Sequence, residues 1–216
     1  MKTILQIALW ILCGVFAYLI YQSVMAPIEF NKVREERYAA VIAKLKDIRD
    51  SQEAYKKVNG KYAKDFNSLI QFIDTANFTI TQQRDSSFMR YDKRFQIDMQ
   101  VDTVVVDTLG FVKVKDTLFG KDNRYTSMMN VPYAQGDVKF DMKTDIIEKS
   151  GFKAPVFEVS VKKDAILYDQ PDDLRAKENS HNSVEEVNGN TIKVGSLTEV
   201  STNGNWPPIY DRKLEN

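Results

Sequence analysis

The sequence predicts an α+β protein: one long N-terminal helix, first a transmembrane anchor and then a stalk, packed on a mostly antiparallel β-rich domain. Three observations predict it. Ile4 to Tyr21 (ILQIALWILCGVFAYLIY) is an uncharged apolar run. Ile28 to Asn59 contains neither Gly nor Pro and is rich in strong helix formers. Beyond residue 76 apolar residues alternate with polar ones, which is the period of strands. The expected division is a transmembrane anchor over 1–26, a helical stalk over 27–60 and a β-rich soluble domain over 61–216.

The anchor follows from length. At about 1.5 Å per residue the run nearly crosses a hydrocarbon core of ~30 Å, and Ser23 to Met25 extend it. Trp10 lies inside the run, and Tyr18 and Tyr21 stand near its far end, where aromatic rings favour the lipid–water boundary. Trp10, Gly14, Tyr18 and Pro27 are the positions that a bilayer or a partner helix is expected to meet. A cleaved signal peptide fits less well, because its small-residue exit would be Val24-Met25-Ala26 with Pro27 directly after the cut. An uncleaved, single-pass signal anchor is expected. Two cues for orientation conflict. Lys32, Arg34, Arg37 and Lys44 outnumber Lys2 and would hold the C-terminal side in the cytoplasm, whereas a short charged head before an apolar segment and a long tail reads as export.

Lys+Arg and Asp+Glu number 30 each, so the formal net charge is zero. That argues against a nucleic-acid partner, which needs a basic surplus to displace counterions. Cys13 is the one cysteine and lies in the anchor, so the soluble part has neither a disulfide nor a thiol site.

Past Pro27, the residues Tyr38, Val41, Leu45, Ile48, Gln52 and Tyr55 follow helical spacing and form one narrow stripe on a charged helix. The stripe is too short for a free coiled coil and is expected to pack on the protein's own sheet, with Leu45 and Ile48 at its centre. Asn59-Gly60 is a helix stop, since both residues tolerate the left-handed conformation, and Lys56, Lys57 and Lys61 suit the negative end of the dipole. Asp65 is placed to cap a short second helix whose apolar face is Phe66, Leu69, Ile70, Phe72 and Ile73.

Strands are expected around Phe78–Gln82, Phe95–Met99, Val138–Met142, Phe157–Val161 and Thr191–Val194. Val101 to Lys115 reads as two strands turning at Leu109-Gly110, and SLTEVSTNGNW continues the β-rich tail. Lys177 to Asn190 is polar and expected to be a loop. Phe111, Phe119, Tyr125, Met128, Met129 and Tyr133 are expected in the core; any that are exposed would suit a protein interface.

The segment IRDSQEAYKKVNGKYAKDFNSLIQFI, preceded by an apolar anchor and a proline, resembles type IV pilin-like proteins and most closely the major pseudopilins of type II secretion. The matching positions are Tyr55, Asn59, Gly60, Tyr62 and Leu69. The likeness covers about a third of the chain. It implies a helix whose first half lies in the membrane and whose second half packs on a small sheet outside the inner membrane, and it favours export. The sequence departs from the pattern in four respects: the pseudopilin calcium loop near the C-terminus has no clear counterpart, the β-rich part is longer than in the family, and two departures lie in the anchor. Gly14 is followed by Val15, not by the Phe of a prepilin cleavage signal, and the anchor contains no Glu. Peptidase processing, and filament assembly that depends on such a Glu, are therefore not expected.

Catalytic motifs are sparse. His181 is the one histidine and sits in a polar SHNS segment, where an exposed ring is expected although Ser180-His181 has the look of a catalytic pair. Asp169, Asp172 and Asp173 (DQPDD) lack the spacing that wraps calcium and read as an Asp/Pro turn. Asp102, Asp107 and Asp116 are expected on solvated faces. The expected protein has no catalytic residue, cofactor or metal. It is a non-enzymatic pilin-like subunit of a bacterial envelope assembly, a secretion or pilus-like machine, held in the inner membrane with its domain in the periplasm. Its partners would be membrane lipid and other membrane-protein subunits or copies of itself. The alternative is a membrane-tethered periplasmic binding module for a lipid, glycan or peptide.

Overall fold

Helix α1 runs from Lys2 to Asn59, 58 residues, and continues on both sides of Pro27. The computed structural model describes residues 2–149, 151–180, 183 and 186–211, with the backbone alone described at Lys2 and Leu5. Pro27 lacks the N–H that would bond one turn back, so α1 loses a single ladder bond there. The chain divides into two compact units, residues 1–49 with 127–216, and residues 50–126.

The first unit holds the N-terminal part of α1 and a three-stranded antiparallel sheet. Its strands are β3 (Asp141–Lys149), β4 (Phe152–Lys162) and β5 (Thr191–Gly195), in the order β3-β4-β5. Met142 pairs with Val159, Val159 with Val194 and Val161 with Ile192. Phe157, Val159 and Val161 are buried, as the alternation predicts. From α1, Phe30, Tyr38, Val41, Ile42, Leu45 and Ile48 enter the core. Burying each of the larger aliphatic chains contributes roughly 1.5–3 kcal/mol. Gly195 ends β5 with φ +79°, and a Cβ there would stand 2.2 Å from the Phe157 carbonyl oxygen, so no side chain fits.

Short helices α4 (Lys163–Ile166) and α5 (Asp172–Asn179) lie between β4 and β5. The polar segment from Lys177 is therefore partly helical, contrary to the loop expectation. DQPDD is likewise more than a turn: Pro171 precedes the helix, and Asp172 and Asp173 fill its first turn, where carboxylates favour the dipole. SLTEVSTNGNW does not extend the sheet. It is irregular apart from an isolated bridge between Val194 and Gly204.

The second unit holds the end of α1, helix α2 (Phe66–Thr75), strands β1 (Asn77–Asp92) and β2 (Ile97–Lys113), and helix α3 (Val114–Leu118). Its core is Ala54, Tyr62, Ala63, Leu69, Phe72, Ile73, Val114, Phe119 and Tyr125. β1 and β2 form one antiparallel hairpin. Leu109-Gly110 is not its turn. Ile80 pairs with Gly110 and Thr81 with Thr108, so Leu109 is the extra residue of a bulge. The turn lies at residues 93–96, where the Asp92 carboxylate accepts from the backbone N–H of Arg94 (2.7 Å) and Phe95 (3.3 Å). Phe95 is accordingly in the turn, and Ile97 and Met99 are in β2.

Candidate functional site

The first half of α1 is bare. Among the described residues one helix is long and apolar enough to cross a membrane, and none of its apolar window is buried by the chain. Trp10 and Tyr18 are exposed, Gly14 has nothing within 4 Å of where a Cβ would stand, and Pro27 is exposed. Cys13 is exposed on the same span.

The junction residues come together in the second unit. Gly60 takes φ +71°, and its N–H donates to the Lys56 carbonyl at 2.8 Å, closing α1 after Asn59. Asp65 caps α2 by accepting from the Ser68 N–H at 2.8 Å. Tyr55 packs its ring 4.9 Å from that of Phe72. Tyr62 is buried, with the Lys56 ammonium 4.8 Å from its ring centre, and Leu69 is wholly buried. The device that sequence reasoning missed is the pairing of Gln52 with the backbone of Ala63. The Gln52 amide nitrogen donates to the Ala63 carbonyl (3.0 Å), and the Ala63 N–H donates to the amide oxygen (2.8 Å). The Gln in the apolar stripe was the visible signal; its partner was not, because Ala63 offers only backbone.

The stalk is fixed in the first unit by charge as well as by Leu45 and Ile48. Glu178, almost fully buried, accepts from three side chains: Lys163 Nζ at 2.9 Å, Arg34 at 2.7 Å and the Tyr38 hydroxyl at 3.1 Å. Lys163 is itself wholly buried and donates also to the carbonyls of Val187 (2.7 Å) and Glu178 (3.1 Å). Burial pushes the Glu178 carboxyl up, but the hydrogen bonds from Lys163 and Arg34 outweigh it and hold the group below the usual range. Burial, reinforced by the charge and hydrogen bond of Glu178, drives the Tyr38 hydroxyl far above its ordinary value. One turn on, Arg37 forks onto Asp169 at 2.6 and 2.8 Å and reaches the Ile166 carbonyl at 2.7 Å. That fork holds the Asp169 carboxyl at about 2. Lys44 donates to the carbonyls of Ser127 and Asn130, and Lys46 pairs with Asp211 at 3.0 Å. Lys163 had a sequence signal, since it continues the inward phase of Phe157, Val159 and Val161 by two residues.

Beside this cluster the first unit has an open cleft of about 600 Å³, walled by Arg34, Tyr38, Ala39, Ala43, Ile209 and Tyr210. Its lining mixes apolar residues with charged ones, Glu35, Lys46 and Glu186 among them, which suits an amphipathic ligand.

The remaining candidates separate. Asp169 belongs to Arg37, while Asp172 and Asp173 start α5. Asp102 and Asp116 are exposed, and Asp107 pairs with Arg84 at 3.1 Å. Phe119, Tyr125 and Met128 are core residues, but Phe111 and Tyr133 are exposed, against expectation, because Phe111 lies on the open hairpin. His181 lies outside the described residues. Compared with protein-family models, curated proteins and solved structures, the chain matches none.

Proposed function

We propose that this chain is a membrane-anchored, non-enzymatic subunit of an envelope protein assembly, acting by protein–protein contact. The observation that carries this reading is α1: one helix is bare along its apolar first half and buried along one stripe of its second. An apolar span with no cover from its own chain calls for lipid or partner helices, while the locked stalk would pass the position of that span rigidly to the first unit. The finer reading is a pilin-like, pseudopilin-related subunit of a bacterial inner-membrane secretion or pilus-like machine, with its domain in the periplasm. It is supported by the Tyr55–Leu69 junction.

The test is a mild-detergent pull-down of the tagged full-length protein, with mass spectrometry, beside a version in which residues 1–27 are exchanged for an unrelated anchor. Envelope-machine components that co-purify and are lost on exchange support the proposal. A monomer without companions in both preparations overturns it.

The second reading, a membrane-tethered binding module for a lipid, glycan or peptide, is favoured by the cleft beside Arg34 and Tyr38. Native mass spectrometry of the same preparation would then show a bound small molecule that is lost in Ala43→Trp, a change that sets an indole into the cleft.

A further inference from the structure

No residue from Asn77 to Lys113 is buried. A two-stranded ribbon alone is only marginally stable in water, and this one leaves both faces open. The pairing register sorts the side chains near its tip. One face carries Phe88, Val101, Met99 and Ile97 with Arg90; the other carries Met89 and Tyr91 with Ser87, Gln100, Asp98 and Asp102. Lys93, Arg94 and Phe95 occupy the turn, and Asp92, on the first face, is engaged by the turn's backbone. Asp98 and Asp102 thus lie on the second face, beside Met89 and Tyr91, while the one acid of the first face near the tip, Asp92, is turned to the backbone of the loop. Phe88, Phe95, Ile97 and Met99 are all exposed, Phe95 by 62%.

We propose that the hairpin tip, Phe88 to Met99, is a lipid-docking site for a bilayer with anionic headgroups. Phe88, Phe95, Ile97 and Met99 enter the interfacial layer. Arg90, Lys93 and Arg94 meet the phosphates, and Asp98 and Asp102 stay on the water side. Aromatic rings and cations together are the chemistry of a lipid–water boundary. A strand added at a ribbon edge would be held by backbone groups and would need no such sorting. Tip-to-tip stacking with a second copy would set the three cations against their duplicates. The proposal is independent of the assembly reading, since it concerns a second membrane contact of the same chain.

The test uses full-length protein in a Cys13→Ser background, with a spin label at Met99→Cys or at Gln100→Cys, reconstituted in vesicles of phosphatidylcholine with phosphatidylglycerol. The expected result is a label at 99 that is open to oxygen and shielded from a water-soluble nickel chelate, and a label at 100 with the opposite pattern. Combining Arg90→Glu, Lys93→Glu and Arg94→Glu, all exposed, should return position 99 to the aqueous pattern. A label at 99 open to the chelate from the start overturns the proposal. So does one shielded from both reagents, with dipolar broadening identifying a second copy as the cover and its absence another protein surface.

Discussion

At Glu178 one carboxylate receives donors from Lys163, Arg34 and Tyr38 out of water. Removing one partner of a buried pair strands the other. Glu178→Leu is therefore expected to destabilise the first unit by about 3–5 kcal/mol, and adding Lys163→Met should recover much of the loss; thermal unfolding of the detergent-solubilised full chain measures both. The Glu178 and Asp169 carboxyls are held below their ordinary range when folded. Depressed carboxyls give stability that is present above the unfolded-state pKa and lost as pH falls through the folded one. Stability should thus drop on acidification from about 4 towards 2, with the share of Asp169 reduced because it is half-exposed and screened. A midpoint unchanged between neutral and acidic pH would contradict this. Gln52→Leu orphans both backbone groups of Ala63 and should cost about 1–3 kcal/mol per group in the same measurement. Such residues were only half legible in the sequence. A Gln or Lys in phase with apolar neighbours announces a buried polar group, but its partners come from distant segments.

Among the elements, α1 and its junction were the most legible, because helical spacing, a Gly stop and an Asp cap are all local signals. Leu45→Ala should cost about 2–5 kcal/mol, and Leu45→Asp or Ile48→Asp should unfold the soluble part, whereas loss of complexes with unchanged stability would make the stripe an interface. Gly60→Ala meets no atom within 4 Å, so its cost is backbone strain alone, about 1–2 kcal/mol, read from the shift in urea midpoint. In the hairpin, Leu109-Gly110 has the local signature of a turn but is a bulge. Which residue bulges and which turns is decided by the facing strand, here by Thr81 pairing with Thr108, and by the Asp92 carboxylate at the real turn. α5 was hidden for a similar reason: its sequence DDLRAKEN is polar almost throughout, and its fixing contact is one buried Glu.

For the molecule as a whole, the α+β class was legible from the change of period near residue 76, but the division into units was not, since it depends on contacts between residues far apart in sequence. None of the apolar window of α1 rests on the chain, so deleting residues 2–24 should abolish carbonate-resistant membrane attachment. It should leave unfolding within about 0.5 kcal/mol of the full chain. The first unit is assembled from residues 1–49 and 127–216, with residues 50–126 between them. Synthesis is vectorial. At roughly 5–20 residues per second, the ribosome takes about 4–15 s to pass the intervening stretch. For that interval Tyr38, Val41, Leu45 and Ile48 have emerged without their eventual cover, and Arg34 without Glu178. The uninterrupted second unit can fold meanwhile. A nascent chain of this layout invites a chaperone on its N-terminal stripe during translation, and its slowest step should be the late return of the last ninety residues onto a helix made first.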